Sequence, residues 1–274
     1  MRLSLLNRSI IYVVLIFVFI LVAYPIAWMV ISALKTNAEI LAYPLSLPSR
    51  LNFGNFSAAW IEGKFGAYFF NSVFITLTSL TGIIFFSLLA SYALARLDFP
   101  GRRIFTYLWL LGLMIPPHVV LIPSFKIMVF LNLIDNPLSL IFTYVGSTSM
   151  AVLIMRAFFA TLPRDLEDAA RIDGCSELGI FWKIALPLAK PAIGVIAIFY
   201  FVFLWNEFLF PLIYLRDERF FTVTLGLMNF RGQYRIDYAL MFAALTIAAV
   251  PPIIGYLIFQ KNFIKGLTAG ALKF

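Results

Sequence analysis

The stretch Leu162–Pro191, LPRDLEDAARIDGCSELGIFWKIALPLAKP, is the longest charged segment of a chain that is otherwise almost entirely apolar. Because an ionised side chain is costly to bury without a partner, this segment is expected to lie in water. Its charged side chains are spread along its whole length and include Asp165, Glu167, Asp168, Arg171, Asp173, Glu177, Lys183 and Lys190. The rest of the chain is therefore organised around a solvated segment set between hydrophobic runs.

The segment predicts two short helices joined at a glycine. Pro163 suits a first helical position, and the acidic side chains that follow it favour the positive end of a helix dipole. Gly174 stands where a left-handed C-terminal cap is expected, and Ser176 can cap the second helix. The pattern therefore predicts a helix-turn-helix.

Each predicted helix has one apolar face with helical spacing. The residues on these faces are Leu162, Leu166, Ala169 and Ala170 in the first helix, and Leu178, Phe181, Trp182 and Ala185 in the second. Two interpretations stay open from this pattern. The hairpin lies on its own helical bundle or on lipid head groups, or it is a docking surface for another protein.

The composition identifies an integral membrane protein. The 274 residues are 62% hydrophobic and only 12% charged, whereas charged residues make up about a quarter of a soluble domain. The net charge of +8 fits basic loops beside anionic lipid, and no basic patch with interleaved aromatic residues indicates nucleic-acid binding. A single cysteine, Cys175, excludes internal disulfides, and a single histidine, His118, leaves no histidine metal site.

Six stretches are long enough to cross the hydrocarbon core as helices, which takes about 20 residues. Alternating strands of a barrel would leave more polar positions, so the sequence predicts an all-α membrane protein with six transmembrane helices. The predicted spans are Ser9–Leu34, Asn71–Ala95 within the uncharged run Phe65–Ala95, Ile104–Phe125, Asn136–Met155, Pro191–Leu215 and Tyr238–Phe259. Prolines in or near these spans, including the Pro116-Pro117 pair, predict kinks.

The distribution of Lys and Arg favours a cytoplasmic location for both termini. With that orientation, thirteen of the 21 basic residues lie on the inner side, as the positive-inside rule expects. The charged helix-turn-helix then faces the cytoplasm. The segment Lys35–Lys64 becomes the first outer loop, long enough to fold partly along the membrane surface.

Two polar sites outside the charged segment are candidates for function. Glu207 is the one acidic residue within a predicted span, and intramembrane charges commonly face a cavity or a partner. Asn206 and Glu207 therefore become candidates for a translocation path, although Glu207 near the outer interface would need no such role. The outer piece Phe230–Tyr234, FRGQY, is either an ordered connection or a contact with an external ligand or partner.

The charged segment resembles the EAA loop of the membrane subunits of ATP-binding-cassette (ABC) importers. The matching positions are Asp168, Ala169, Ala170, Gly174, Ile184, Leu186 and Pro187. The first of these is usually Glu and is Asp168 here, a change that keeps the acid at the helix start. Further pieces resemble the carbohydrate importer permeases of the maltose and glycerol phosphate type: ARLDFPGRR, MIPPHVVLIP, WNEFLFPL, FRGQY and FIKGLTAGALK.

The resemblance implies a type I importer permease fold with a cytoplasmic coupling loop, residues 158–190, between the fourth and fifth helices. Residues 1–64 would form the N-terminal tail, first helix and first outer loop, and residues 65–274 the permease core. Such a subunit pairs with a second permease, a cytoplasmic ATPase dimer that binds ATP and magnesium, and an extracytoplasmic solute-binding protein. The EAA positions would contact an ATPase, the tail around Lys265–Ala271 would lie against the ATPase pair, and Gly232, Gln233 and Tyr234 would face the binding protein.

The absence of a G-x-x-x-x-G-K-[ST] sequence agrees with ATP hydrolysis on a partner chain, and no cofactor is expected on this one. Three alternatives stay open. An ion-gradient-driven transporter would tend to carry several intramembrane acids and repeated halves. A membrane-embedded enzyme would need clustered His, Asp or Glu. An ABC permease for a non-sugar solute would share all features except the resemblance to the carbohydrate group.

Overall fold

The computed structural model describes residues 5–230 and 236–271, with side chains for 7–230, 236–258 and Gln260. The described residues form helices joined by turns. In chain order these are α1 (Leu5–Ala33), α2 (Asn37–Ala42), α3 (Gly54–Ile61), α4 (Phe65–Arg96), α5 (Arg102–Met114), α6 (Leu121–Phe130), α7 (Pro137–Gly146), α8 (Ser149–Ala160), α9 (Arg164–Ile172), α10 (Glu177–Ile180), α11 (Leu186–Leu188), α12 (Lys190–Asn206), α13 (Leu209–Tyr214), α14 (Val223–Gly226) and α15 (Tyr238–Ala271). A π-helical turn, Phe181–Ala185, connects α10 with α11.

Three described helices are long and apolar enough to cross a membrane unaided: Asn7–Ala33, Phe65–Arg96 and Tyr238–Ile258. Two further spans are possible if each of two bent helix pairs is counted as one. Pro137–Gly146 meets Ser149–Thr161 at 41°, and Glu177–Leu188 meets Lys190–Asn206 at 72°.

Three of the predicted spans are wrong as continuous helices. The stretch 136–155 is divided, because α7 ends at Gly146 and α8 begins at Ser149. The stretch 104–125 is divided, because α5 ends at Met114 and α6 begins at Leu121, on either side of Pro116 and Pro117. A proline removes a backbone donor and clashes with the preceding turn, and two in succession end a helix. The stretch 191–215 is divided at Glu207, between α12 and α13.

One compact unit comprises residues 1–67 and 226–250. Here the N-terminal part of α1 is exposed on all sides, whereas the end of α1 is covered by the folded segment that follows. Trp28 donates from Nε1 to the carbonyl of Pro44 at 2.8 Å and packs edge-on against Phe242 at 5.0 Å. Asn37 donates to Asp237 at 2.9 Å, which fixes the start of α15 against this segment.

The second unit comprises residues 68–225 and 251–274 and contains the larger buried core. Helices α4, α7, α8, α12 and α13 contribute to this core, together with the π turn. A Cβ at Gly82 of α4 would lie only 2.7 Å from the side chain of Val145, so the small residue permits α4 and α7 to approach closely. Close approach through small residues is typical of helix packing in membranes.

Candidate functional site

The turn between α9 and α10 is built around Gly174, whose φ of +79° lies in the left-handed region. The Gly174 N–H donates to the carbonyl of Arg171 at 3.0 Å, and the Cys175 N–H donates to Ala170 at 2.9 Å. These two bonds close α9 as a Schellman motif. The side chain of Ser176 accepts an N–H from the first turn of α10, as the sequence predicts. The start of α9 differs by one residue from its prediction, because Pro163 precedes the first helical residue.

Arg171 joins the two arms of the turn on its exposed side. Its Nε donates to Glu177 at 2.8 Å and its Nη1 to Asp168 at 2.7 Å. The hydrogen bond to Glu177 is the main cause that raises the pKa of Arg171 above its ordinary value. Such exposed contacts add little free energy of unfolding, but they hold the turn in one geometry.

Glu167 is buried, so the prediction that the charged segment lies wholly in water is wrong at this position. Its Oε1 lies 3.1 Å from Nε of Arg96, the last residue of α4, and the two side chains are 5% and 3% exposed. These two atoms form an ion pair but no aligned hydrogen bond. Arg96 also donates from Nη2 to the carbonyl of Leu162, where α8 leads into α9. The burial follows because the charge has a partner from a distant part of the chain.

The two helices present one buried and one exposed set of apolar side chains. The buried set contains Ala170, Ile180, Phe181 and Ala185. The exposed set contains Leu166, Ile172 (87% exposed), Leu178 (67%), Trp182 (52%) and Leu188. The apolar faces predicted for both helices are therefore wrong in part, because Leu166, Ala169, Leu178 and Trp182 are exposed. On α9 the buried side carries Glu167 next to Ala170 in the core, since the Glu167 charge is paired with Arg96.

The seven EAA-like residues are not equally accessible. Asp168, Ala169, Gly174 and Pro187 are exposed, Ile184 and Leu186 are half-buried, and Ala170 is buried. The first three exposed residues lie on α9 and its turn, beside the exposed apolar set. Ala170 packs inward, where its small side chain leaves room for the core.

Asn206 and Glu207 end α12. The carboxylate of Glu207 accepts the successive backbone N–H groups of residues 208–210, at 3.1, 2.8 and 3.3 Å, and so caps the start of α13. The backbone carbonyl of Glu207 accepts a hydrogen bond from Thr224 at 2.6 Å. Asn206 donates from its amide to the carbonyl of Val202 at 2.8 Å. These contacts give both side chains a structural role. Their place on a translocation path stays a prediction.

A family model matches residues 83–269, which include the helix-turn-helix and the Glu207 region. Its description is a binding-protein-dependent transport system inner membrane component. This chain belongs to that family. The inner membrane component is therefore a transport subunit rather than an enzyme.

Three relatives align with nearly the whole of this inner membrane component. A probable ABC transporter permease protein, YurM of Bacillus subtilis, is 37% identical to this chain. The alignment covers 96% of this chain and 88% of the relative. The arabinooligosaccharides transport system permease protein AraQ of the same species is 39% identical and covers 93% and 92%. The trehalose/maltose transport system permease protein MalG of Thermococcus litoralis is 34% identical and covers 100% and 99%.

The fold of the inner membrane component is also that of a solved transporter chain. The crystal structure of a bacterial ABC transporter involved in the import of the acidic polysaccharide alginate matches with a TM-score of 0.85. The match covers 95% of this chain and 99% of the other at 24% identity. This similarity establishes an importer permease fold.

Two groups of predicted contact residues lie, as whole residues or with their side chains, outside the part of the chain that the structure describes. Gly232, Gln233 and Tyr234 lie outside the described residues, as do the side chains of the tail Lys265–Ala271. Conversely, the sequence interpretation missed Arg96 as a partner of the charged segment. The available signal was its place as a lone basic residue at the end of a 32-residue apolar helix, where a charge needs either water or a partner.

Proposed function

We propose that this chain is the membrane-spanning subunit of an ABC importer that carries an oligosaccharide or related sugar into the cell. The relatives that support this substrate class are named for arabinooligosaccharides and for trehalose and maltose, and the solved neighbour is titled for import of alginate. Six spans would comprise α1, α4, α5 with α6, α7 with α8, α12 with α13, and α15, while α10, the π turn and α11 belong to the helix-turn-helix. Both termini would lie in the cytoplasm, where the excess of Lys and Arg is expected.

The observation that carries the proposal is the exposed apolar surface of the helix-turn-helix. Ile172, Leu178 and Trp182 are largely uncovered, yet charged Asp168 and Arg171 stand beside them. A surface in the hydrocarbon core would exclude these charges, whereas a protein interface combines an apolar and aromatic centre with a charged rim. We therefore assign this surface to docking on a cytoplasmic ATPase subunit.

The remaining partners follow from the same assignment. An ATPase dimer would bind ATP and magnesium, a second permease would complete the pathway, and an extracytoplasmic binding protein would deliver the sugar. A crystal structure of the bacterial alginate ABC transporter in complex with a pentasaccharide-bound periplasmic protein supports the last partner. Gly232, Gln233 and Tyr234 are proposed to face the binding protein, and the tail Lys265–Ala271 to lie against the ATPase pair.

ATP-driven closure of the ATPase dimer would move the docked turn and, with it, the attached spans. Asp168, Ala169 and Gly174 would contact the ATPase directly, because they are exposed on α9 and its turn. Ile184, Leu186 and Pro187 would support the second arm. Asn206 and Glu207 would line the pathway through the polar atoms that their structural hydrogen bonds leave accessible.

The docking assignment is tested by placing a charge on the proposed surface. Leu178→Asp is compared with Leu47→Asp, because both leucines are exposed but the second lies in the proposed outer loop. Each variant is purified in mild detergent with its partner subunits, and the retained ATPase is measured. We expect Leu178→Asp to reduce ATPase retention at least about tenfold, since a charge in an interface centre costs about 2 kcal/mol or more, and Leu47→Asp to leave it unchanged.

Retention of the ATPase by Leu178→Asp at the wild-type level would overturn the docking assignment. Sugar uptake by the purified chain alone, driven by a proton or sodium gradient without ATP, would overturn the importer proposal itself.

A further inference from the structure

Helix α4 has specific polar contacts at both of its ends within the second unit. At one end, Asn71 donates from Nδ2 to the carbonyls of Arg219 at 2.8 Å and Phe221 at 3.0 Å. One residue further on, the hydroxyl of Ser72 accepts the N–H of Val223 at 2.8 Å. At the other end, Arg96 contacts Glu167 and Leu162. The helix therefore connects the loop before α14 with the charged helix-turn-helix.

The length of α4 suits a connection across the membrane. From Asn71 to Arg96 the helix extends about 38 Å at 1.5 Å per residue, which exceeds the hydrocarbon thickness of about 30 Å. No proline interrupts it. A continuous helix of this kind moves as a rigid rod, so a displacement at one end reaches the other.

The end of α4 contacts the helix-turn-helix through aromatic rings as well as through the ion pair. Besides the ion pair, the ring of Tyr92 lies 5.2 Å from that of Phe181 in the π turn and 5.6 Å from that of Phe159 in α8. The end of α4 therefore contacts both arms of the segment. Glu167 is also the one buried carboxylate among the side chains that the structure describes.

We propose that the Arg96–Glu167 pair is the joint through which α4 and the helix-turn-helix move as one body. The inference rests on the proposed importer function and adds to it the positioning residues that transmit ATPase movement to the loop at residues 219–223. It does not place Arg96 or Glu167 in the docking surface, since both side chains are buried.

The physical argument concerns what happens if the two elements separate. A buried ion pair adds little stability compared with an apolar pair of similar size, but a buried charge without its partner is strongly unfavourable. Moving α9 away from α4 would leave Arg96 without its charged partner in the core and Glu167 with only the longer contact to Arg171, at 3.9 Å. The low-energy response to a pull on α9 is therefore a movement of α4 in the same direction, with the pair kept intact.

The test separates docking from transmission in the complete transporter, reconstituted with its ATPase, second permease and binding protein. The variants are Glu167→Gln, the apolar double variant Arg96→Met/Glu167→Met and the exchanged pair Arg96→Glu/Glu167→Arg. The control is Asp98→Asn, which removes the exposed ion pair between Asp98 and Arg102 in the adjacent loop. The readouts are ATPase retention and the stimulation of ATP hydrolysis by sugar-loaded binding protein.

We expect the double methionine variant to retain the ATPase within about twofold while stimulation by the binding protein falls about tenfold, the size of a typical coupling between sites. Glu167→Gln should lose stimulation similarly. The exchanged pair should recover part of it, and Asp98→Asn should match wild type. Recovery by exchange would exclude a simple loss of fold.

If the binding protein stimulated ATP hydrolysis to the wild-type level in the double methionine variant, the proposed role of the Arg96–Glu167 pair would be wrong. Loss of ATPase retention in that variant with its fold intact would also contradict this role, because the pair would then serve docking. Absence of stimulation in the wild-type complex would instead contradict the proposed importer function, which keeps the two failures distinct.

Discussion

Two polar segments of this protein each bury one charged side chain, and they satisfy that charge in different ways. In the segment Lys35–Lys64, the fully buried Lys35 donates to the carbonyls of Tyr43 at 3.1 Å and Pro44 at 3.2 Å. Its partners are therefore neutral and belong to the same segment. In the segment Leu162–Pro191, the buried Glu167 lies 3.1 Å from Arg96 at the end of another long helix, and a longer contact of 3.9 Å joins it to Arg171 of its own segment.

The difference indicates two kinds of structural role. A charge satisfied by nearby carbonyls fixes the shape of its own loop, and its loss is expected to stay local. A charge paired with a distant helix makes two elements dependent on each other, and its loss is expected to affect both. The contrast between a local clamp and a long-range joint leads to four predictions.

The largest effect on stability is expected from removing only one charge of the Arg96–Glu167 pair. Arg96→Met leaves buried Glu167 with only the longer contact to Arg171, at 3.9 Å, and should cost up to about 3–5 kcal/mol, whereas the double variant Arg96→Met/Glu167→Met should recover most of that loss. Thermal unfolding of the purified protein in one detergent measures both. Equal destabilisation by the single and double variants would show that the charges are not coupled.

A smaller and more local effect is expected at Lys35. Lys35→Met removes the donor for the carbonyls of Tyr43 and Pro44, at a cost of about 1–3 kcal/mol. Amide hydrogen exchange should increase within residues 35–64 and remain unchanged in α9. Faster exchange in α9 would show that the clamp is not local.

A still smaller effect is expected in the turn of the helix-turn-helix. Gly174→Ala places a side chain at φ of +79° and should cost about 1 kcal/mol of stability. Gly146→Ala is the matched control, since a Cβ at either position meets no atom within 4 Å and only Gly174 has positive φ. Thermal unfolding compares the pair. A cost at both positions would point to crowding rather than to backbone strain.

The smallest effect concerns the acid response of the first segment. The hydroxyl of Ser49 is the main group that lowers the pKa of Glu39 from 4.5 to about 2, together with the N–H groups of Thr36 and Ser49. Because the folded pKa is the lower one, the stabilisation is present above pH 4.5 and is lost as the pH falls through about 2.

Amide exchange at Thr36 and Ser49, corrected for intrinsic rates, should show continued protection between pH 4.5 and 3 in the wild type. In Glu39→Gln the protection should be weaker and independent of pH over that range. A wild-type transition centred on pH 4.5 would contradict the hydrogen-bonding arrangement.

The sequence predicts the features of this fold that depend on local chemistry. Helices α1, α4 and α15 follow from long apolar runs. The start of α15 is the predicted residue, whereas α1 and α4 begin four and six residues before the predicted spans and α15 continues beyond its predicted end. The positive φ of Gly174 and the cap at Ser176 also follow from short-range rules of helix termini. Each of these needs only a few neighbouring residues to form.

The features that depend on distant residues could not be predicted in the same way. The burial of Glu167 requires knowledge that the end of α4 lies beside α9. The capping role of Glu207 requires that its span stop at residue 206, and hydropathy alone favours continuation. The division at Pro116 and Pro117 was signalled as a kink, but the number of unwound residues depends on the packing of α5 and α6.

The contrast between exposed and buried charges around α9 has a consequence for osmotic stress. Mobile ions screen charges over about 8 Å at physiological ionic strength, and over less when water leaves the cell. The exposed contacts of Arg171 with Asp168 and Glu177 would weaken under those conditions. The pair between Arg96 and Glu167 is shielded from ions, so the link between α9 and α4 would persist at high ionic strength on the proposed cytoplasmic side.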